Sequence, residues 1–295
     1  SSHCGAARDL VQCVWLCSVT LVGVMPPATE VVDTLVYLDI DGVLNMGVRD
    51  TGRAPLLLDE SNCCLAMSVR DSRSLKPTER ESVEKLQAVI SHISGTASYK
   101  DFACDKANRY SDLLVQRLVE IIRAAGAQCM VVLSSSWRES KYLARILKLE
   151  EDISRHLRRK FAFHAATAPV RERCAAERLA TIGEHLAQFC AGPMATSHLK
   201  VVVLDDFHIT PFDGWLCQDA PMLAPSSAEQ FLIARAAKST PGVRIEAKVV
   251  HCYAEWRTPG GLWVQIGSGL TPDAVRDVCS FLAPAPPARA APVRR

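Results

Sequence analysis

Two aspartates stand directly after an apolar stretch near the start of the chain. Val36 to Leu38 are apolar and suited to a strand. Asp39 and Asp41 follow at once, and then Gly42, which allows the backbone to leave the strand sharply. Residues two apart lie on one face of an extended segment, so both carboxylates can reach a common ligand. The segment predicts either a site that holds a cation or a strand-to-loop junction with two solvated acids, because buried charge is costly without a partner.

Two further apolar strands are predicted at residues 130–133 and 201–204. Each ends in polar side chains: Ser134, Ser135 and Ser136 after the first, Asp205 and Asp206 after the second. Ligands of open α/β sheets bind outside the carboxyl ends of the strands. We therefore expect the two acid pairs and the hydroxyl cluster to converge on one crevice.

Helical patterns between these strands complete an α/β arrangement. Residues 111–125 carry an apolar stripe, with Ser111 as the N-cap and Gly126 after the end. This helix leads into the strand at 129–133, which makes a β–α–β unit with an expected right-handed crossover. Further helices are predicted at 78–93 with a Thr78–Glu81 capping box, at 171–189, and after Thr271. The predicted fold is a Rossmann-like three-layer α/β sandwich with a mainly parallel sheet.

The chain divides into a central domain with two extensions. We assign residues 31–282 to the α/β domain, with an insertion at 46–110 that is either a cap over the site or a surface elaboration. Residues 1–30 are an N-terminal extension, and the Pro/Ala-rich residues 283–295 are predicted to be a disordered tail. The apolar residues 10–25 suit a signal-peptide core, a short anchor, or translated sequence ahead of a true start at Met25, and we favour the last.

The composition is that of an ordinary globular protein, with 48% hydrophobic and 22% charged residues in 295. A formal net charge of +2 gives no reason to expect global binding to nucleic acid or membrane. The 12 cysteines contain no paired C-x-x-C pattern of zinc sites. They form either a disulfide framework or, as we expect, reduced and mostly buried thiols of an intracellular, cytoplasmic protein.

The sequences at the three strand ends resemble the motifs of a known superfamily. Asp39-Ile-Asp-Gly-Val, Leu133-Ser134 and Leu204-Asp205-Asp206 look like motifs of the haloacid dehalogenase (HAD) superfamily. Leu38-Asp-Ile-Asp-Gly-Val-Leu-Asn45 together with Leu133-Ser-Ser-Ser-Trp-Arg138 is similar to the HAD domains of Swiss Army Knife RNA-repair proteins, and Gly269-Leu-Thr271 also fits that group. The resemblance spans roughly residues 34–282.

This resemblance implies a magnesium-dependent phosphatase that hydrolyses a phosphate monoester. Asp39 would attack phosphorus to form an aspartyl-phosphate, and Asp41 would protonate the leaving oxygen and then activate water. Ser134 would donate a hydrogen bond to a phosphate oxygen. Magnesium prefers oxygen ligands, here Asp39, the backbone carbonyl of Asp41, and Asp205 or Asp206. The resemblance also implies that an acid at Asp41 favours a phosphatase over members that retain the phosphoenzyme.

A basic side chain completes the site that the resemblance implies. Arg178 matches the position of the superfamily's cation at a helix start, and Lys200 is its rival. Ser135 and Arg138 are further candidates for substrate contact, although Arg138 could equally pair with an acid. His208 either touches substrate or has no role.

The expected partner is a phosphorylated small molecule, a nucleotide or a nucleic-acid end, and no membrane partner or particular oligomeric state is predicted. The basic run Lys141–Lys160 is either a solvated face or a contact to a phosphate backbone. The alternative function is a catalytically inactive HAD-like binding module, against which the acid at Asp41 argues.

Overall fold

A computed structural model describes residues 31–49, 56–69, 72–94, 98–169, 175–206, 225–240 and 242–284. The strands, in chain order, are β1 (Val32–Leu38), β2 (Gly47–Val48), β3 (Leu56–Leu57), β4 (Cys129–Leu133), β5 (Ala165–Ala166), β6 (Ala195–Asp205), β7 (Arg244–His251), β8 (Tyr253–Arg257) and β9 (Trp263–Gly267). The α-helices are α1 (Glu60–Ser68), α2 (Pro77–Ser94), α3 (Tyr99–Phe102), α4 (Asp112–Ala125), α5 (Leu143–Leu157), α6 (Ala175–Cys190), α7 (Pro225–Ser239) and α8 (Pro272–Leu282).

The main sheet has five parallel strands in the order β5-β4-β1-β6-β7. β1 lies at its centre, and the register pairs Leu38 with both Leu133 and Leu204. The carboxyl ends of β1, β4 and β6 are therefore level, so the residues that follow them meet at one edge. This alignment places the three polar clusters side by side, as expected for ligand sites in such sheets.

Two apolar cores cover the two faces of this sheet. Successive side chains of a strand point to opposite faces, so Val36 and Leu38 pack in one core while Leu35 and Tyr37 pack in the other. The first core includes residues of α4, α5 and α8, and the second includes residues of α6 and α7. Helices on both faces of a parallel sheet make a three-layer α/β sandwich, which confirms the predicted fold class.

The predicted insertion at 46–110 does not stand apart from the rest of the chain. Its strands β2 and β3 join the C-terminal strands β8 and β9 in an antiparallel sheet of order β3-β2-β9-β8. On the helix α2 of the insertion, His92 stacks on Trp256 of β8 with ring centroids 4.5 Å apart. Segments far apart in sequence therefore build one small layer beside the main sheet.

The predicted helices agree with the structure over most of their lengths and differ at two ends. α2 begins at Pro77, so Thr78 lies inside the helix and the predicted capping box is wrong; proline suits the first helical position because it lacks an N–H there. Ser111 is the N-cap of α4, but its hydroxyl donates to the carbonyl of Asp101 instead of capping the helix. Thr271 caps α8 as predicted, accepting a hydrogen bond from the Ala274 N–H.

None of the helices in the described part of the chain has the length and apolar character that a bilayer crossing needs. The apolar residues 10–25 and the predicted tail beyond residue 284 lie outside the described residues, as does His208.

Candidate active site

Three buried carboxylates meet where β1 and β6 end. Asp39 follows β1, and Asp205 and Asp206 stand at the end of β6. One oxygen from each lies within 4.8 Å of the others, and all three residues are at most 3% exposed. Backbone bonds fix the strand ends, since the Asp39 N–H donates to the Leu204 carbonyl at 2.9 Å. Buried like charges so close together repel unless positive charge is supplied.

Two arginines supply part of that charge. Arg178, in the first turn of α6, places Nη1 2.5 Å from Asp39 Oδ2 and 3.1 Å from Asp205 Oδ1. Arg49, just past β2, places Nη2 3.1 Å from Asp206 Oδ1. In the described part of the chain, three carboxylates thus face these two guanidiniums. Burial raises the pKa of Asp206 well above its ordinary value, and the charge of Arg49 opposes that rise.

The acid at Asp41 has separate surroundings from the three-carboxylate cluster. Its Oδ1 accepts from Asn45 Nδ2 at 3.0 Å, and its Oδ2 accepts from the indole Nε1 of Trp137 at 3.0 Å. Burial raises the pKa of the Asp41 carboxyl, and the nearby charge of Asp39 raises it further. A carboxyl with a raised pKa, held by two donors, is suited to giving and taking a proton.

The turn after β1 depends on glycine. Gly42 has φ +81°, and a Cβ at this position would lie 2.1 Å from Asp206 Oδ2. Gly267, at the end of β9, is equally tight, since a Cβ there would lie 2.3 Å from the Gly42 Cα. The Gly269 N–H donates to the Gly42 carbonyl at 2.8 Å. The end of β9 and the residues just after it therefore pack directly against the loop that carries Asp39 and Asp41.

The hydroxyl of Ser134 lies at the end of β4 and has no hydrogen-bond partner among the described residues. The Ser134 N–H donates to the Leu38 carbonyl at 2.8 Å, which sets the residue beside β1. Its Oγ is fully buried without a hydrogen bond in the described part of the chain. Buried hydroxyls normally have partners, so an orphaned one next to a cluster of acids suits an external acceptor such as a phosphate oxygen.

The oxygen-rich cluster fits a hard divalent cation. Magnesium binds one or two carboxylates together with water and substrate phosphate, and the cluster offers three buried carboxylates. Asp39, Asp205 and Asp206 are the residues that could hold it. The side chain of Asp41 lies outside this group because its two oxygens accept from Asn45 and Trp137.

One predicted substrate contact, Lys200, does not point into the crevice. Lys200 lies five residues before Asp205, about 17 Å back along β6 at strand rise, and its Nζ donates to the carbonyls of Phe281, Leu282 and Ala283 at the end of α8. The structure therefore places Lys200 at the end of a helix, on the opposite edge of the sheet from the acids. Arg178 is the basic residue that the structure places among the acids.

The other two substrate candidates support the turn after β4. Arg138 is buried, and its Nη1 donates to the carbonyls of Ser134 and Ser135 at 2.9 and 3.0 Å. Arg138 thus holds the turn in place and is not exposed to a ligand, which corrects its expected role. The Ser135 Oγ is also buried and accepts from the Trp137 N–H at 3.3 Å, so it too serves the turn.

Three residues at the site were missed by sequence reasoning. Asn45 and Trp137 were visible inside the motifs, and their side chains both reach Asp41. Arg49 had no local signal, because its contact with Asp206 depends on the pairing of β2 with β9.

A family model described as "HAD domain in Swiss Army Knife RNA repair proteins" matches residues 35–229. The match covers the ends of β1, β4 and β6 and the first turn of α6, and it confirms the resemblance predicted from the motifs. It stops inside α7, short of the predicted span, and leaves out β7, β8, β9 and α8. No curated protein and no solved structure matches the chain.

Proposed function

The chain belongs to the HAD domains of Swiss Army Knife RNA repair proteins, and from this premise we propose that it is a magnesium-dependent phosphatase. Its substrate is a phosphate monoester, on a nucleic-acid end or a nucleotide. The observation that carries the proposal is the meeting of three buried carboxylates with the unpartnered, buried hydroxyl of Ser134. A hydroxyl that can donate a hydrogen bond to an anion, next to carboxylates that can bind a cation, suits a phosphate bound beside a metal ion.

Asp39 is the proposed nucleophile. One of its carboxylate oxygens attacks phosphorus, and the bond from phosphorus to the ester oxygen breaks, which leaves an aspartyl-phosphate. Its Oδ1 accepts from the Ile40 N–H at 2.7 Å and its Oδ2 from Arg178, so the carboxylate is held in one orientation. Orientation of this kind lowers the entropy cost of attack.

Asp41 is the proposed proton carrier. In the first step its carboxyl gives a proton to the leaving oxygen. In the second step its carboxylate takes a proton from water, whose oxygen attacks phosphorus, releases inorganic phosphate and restores Asp39. The hydrogen bonds from Asn45 and Trp137 fix the orientation of this carboxyl.

Positive charge and hydrogen bonds stabilise the transferred phosphoryl group. Ser134 donates to one of its oxygens, and Arg178 offsets the negative charge of the nucleophile and substrate. Asp39, Asp205 and Asp206 would hold magnesium, which screens the repulsion between carboxylate and phosphate when it is bound.

A chromogenic ester such as p-nitrophenyl phosphate tests the proposal, assayed with magnesium and with EDTA. We expect magnesium-dependent turnover in the parent, and background turnover in Asp39→Asn, which keeps the size of the side chain but removes the attacking charge. Thermal unfolding of the variant checks that the fold survives. Full activity in a clean Asp39→Asn preparation would exclude this nucleophile.

The alternative of an inactive binding module is tested in the same experiment. That alternative predicts no turnover of any phosphate ester by the parent, with or without magnesium. Quenching the reaction in acid should also trap phosphate on the protein in Asp41→Asn, because its intermediate forms on Asp39 but lacks the base that activates water.

A further inference from the structure

A cluster of aromatic and basic side chains lies beside Asp41. We call it the aromatic–cation surface and define it as the exposed Lys141 and the half-buried Tyr142 and Arg145, together with the buried ring of Trp137. Trp137 connects it to the site, because its Nε1 donates to Asp41 Oδ2 at 3.0 Å. The Trp137 ring stacks on Tyr142 with centroids 5.7 Å apart and planes inclined by 16°. The surface therefore begins at the proposed proton carrier and leads outward.

Positive charge lies over the two rings. The guanidinium carbon of Arg145 is 5.8 Å from the Trp137 ring centroid and 5.7 Å from that of Tyr142. The Lys141 ammonium is 4.9 Å from the Tyr142 ring. Lys141 also pairs with Glu139, but both side chains are more than half exposed, so the pair contributes little. Arg145 has no carboxylate partner in the described part of the chain.

Two other members of the basic run, Lys148 and Arg155, pair with acids instead. α5 follows β4, so it starts at the edge that carries the site and runs away from it. Arg155 lies about 18 Å further along the helix axis than its first residue. There Arg155 pairs with Asp112 and Asp152, and Lys148 pairs with Asp152 as well. Arg155 is therefore a poor candidate for a nucleic-acid contact, whereas Lys141 and Arg145 lie at the site end.

We propose that the aromatic–cation surface binds the nucleotide that carries the terminal phosphate of a single-stranded nucleic acid. This inference rests on the proposed function. Unstacked bases bind on aromatic rings and guanidinium planes, and Tyr142 with Arg145 offers both. The next phosphodiester lies within the field of Lys141 and Arg145. A small ester such as p-nitrophenyl phosphate has no groups that reach this surface.

Turnover of matched substrates tests the surface. The substrates are p-nitrophenyl phosphate, a nucleoside monophosphate, and a short single-stranded RNA phosphorylated at its 3′ or 5′ end. In Arg145→Gln and in Tyr142→Leu we expect the ratio of kcat/KM for RNA to kcat/KM for the small ester to fall about tenfold, mainly through KM. Arg155→Gln is the matched control, and its ratio should equal that of the parent. Equal losses on both substrates in Arg145→Gln would overturn the proposal.

Binding without turnover separates this proposal from the phosphatase itself. Fluorescence anisotropy of labelled RNA on the Asp39→Asn protein should give a dissociation constant that rises about tenfold when Arg145→Gln is added. The slope of log K against log salt should become shallower by about 0.7, because one phosphate contact is lost. If the parent shows no ester turnover but RNA binding still depends on Arg145, only the phosphatase proposal is refuted. Ester turnover kept, with no RNA binding that depends on Arg145, would refute only the surface.

The nucleoside monophosphate decides between a strand and a free nucleotide. We expect the parent to prefer RNA, because a nucleoside monophosphate lacks the phosphodiester that meets Lys141 and Arg145. If the parent and both variants handle the two substrates alike, the assignment to a single strand is wrong.

Discussion

The buried hydroxyl of Ser134 has no hydrogen-bond partner among the described residues. Its removal should therefore lower activity without lowering stability. Removing a hydroxyl that makes no hydrogen bond costs no bond in the folded state, so Ser134→Ala should unfold at the parent's urea concentration or slightly above it. Turnover of p-nitrophenyl phosphate should fall about a hundredfold to a thousandfold, because one donor to the phosphoryl group is lost.

Ser135→Ala is the matched control for that change. Its Oγ accepts from the Trp137 N–H, so the substitution should cost about 1 kcal/mol of stability. The two serines should thus show opposite patterns, with activity lost in one and stability lost in the other. A Ser134→Ala protein with full activity would remove Ser134 from the site.

The ion pairs of Arg178 at the cluster are tested through stability without magnesium. Arg178→Ala leaves Asp39 and Asp205 buried without their shared cation. Because Arg178 is 20% exposed, we expect a loss of roughly 2 to 3 kcal/mol in the free energy of unfolding, below that of a fully buried pair. Urea unfolding in EDTA measures it. Arg155→Ala, at an exposed ion pair, should change stability by less than about 1 kcal/mol.

At the scale of secondary-structure elements, β9 packs closely against the loop after β1, and substitution of Gly267 tests this contact. Gly267→Ala would place a methyl group 2.3 Å from the Gly42 Cα and 3.2 Å from Asp206 Oδ2. Overpacking of this kind should cost about 1 to 3 kcal/mol and displace Asp206, so magnesium-dependent turnover should fall with it. Gly260→Ala, whose nearest contact would be Thr258 Oγ1 at 3.8 Å, is the control and should retain activity. Equal behaviour of the two variants would show that the close approach is not needed.

The packing of α6 on β1 predicts a pH dependence of stability. The Tyr37 hydroxyl lies 2.9 Å from His185 Nδ1, and burial lowers the pKa of His185 below its ordinary 6.5. Below pH 6.5 the unfolded chain therefore binds a proton at His185 more readily than the folded chain does. Stability is complete above pH 6.5 and is lost as the pH falls from there toward the lower folded pKa.

His185→Gln removes this titration while keeping a hydrogen-bonding side chain. Each unit by which the pKa is lowered corresponds to about 1.4 kcal/mol, so the parent should lose more stability between pH 7.5 and pH 5.5 than the variant. Urea unfolding at the two pH values compares them. Parallel losses in both proteins would show that His185 titrates alike in the folded and unfolded states.

The whole fold shows which features the sequence could predict. The parallel strands and their level polar ends were predictable, because apolar runs and the residues that follow them are local signals. The position of Lys200 could also have been deduced, since a residue ahead of an apolar run lies at the amino edge of the sheet. Arg49 and Gly267 could not, because their contacts require β2 to pair with β9 across most of the chain.

Charge balance across the molecule gives the last prediction. The chain as a whole carries +2, but at the buried cluster the carboxylates of Asp39, Asp205 and Asp206 lie close together beside Arg49 and Arg178. A divalent ion that binds only the folded state stabilises it in proportion to the logarithm of its concentration, so millimolar magnesium should raise the melting temperature.

Asp205→Asn should reverse the order of stabilities. Without magnesium the variant has one carboxylate fewer in the buried cluster, so its melting temperature should equal or exceed that of the parent, because repulsion between the carboxylates is relieved. With magnesium the parent should become the more stable, because the variant has lost a ligand. Thermal unfolding in EDTA and in magnesium, at matched ionic strength with sodium chloride, measures both. Parent and variant responding equally to magnesium would place the ion somewhere other than at Asp205.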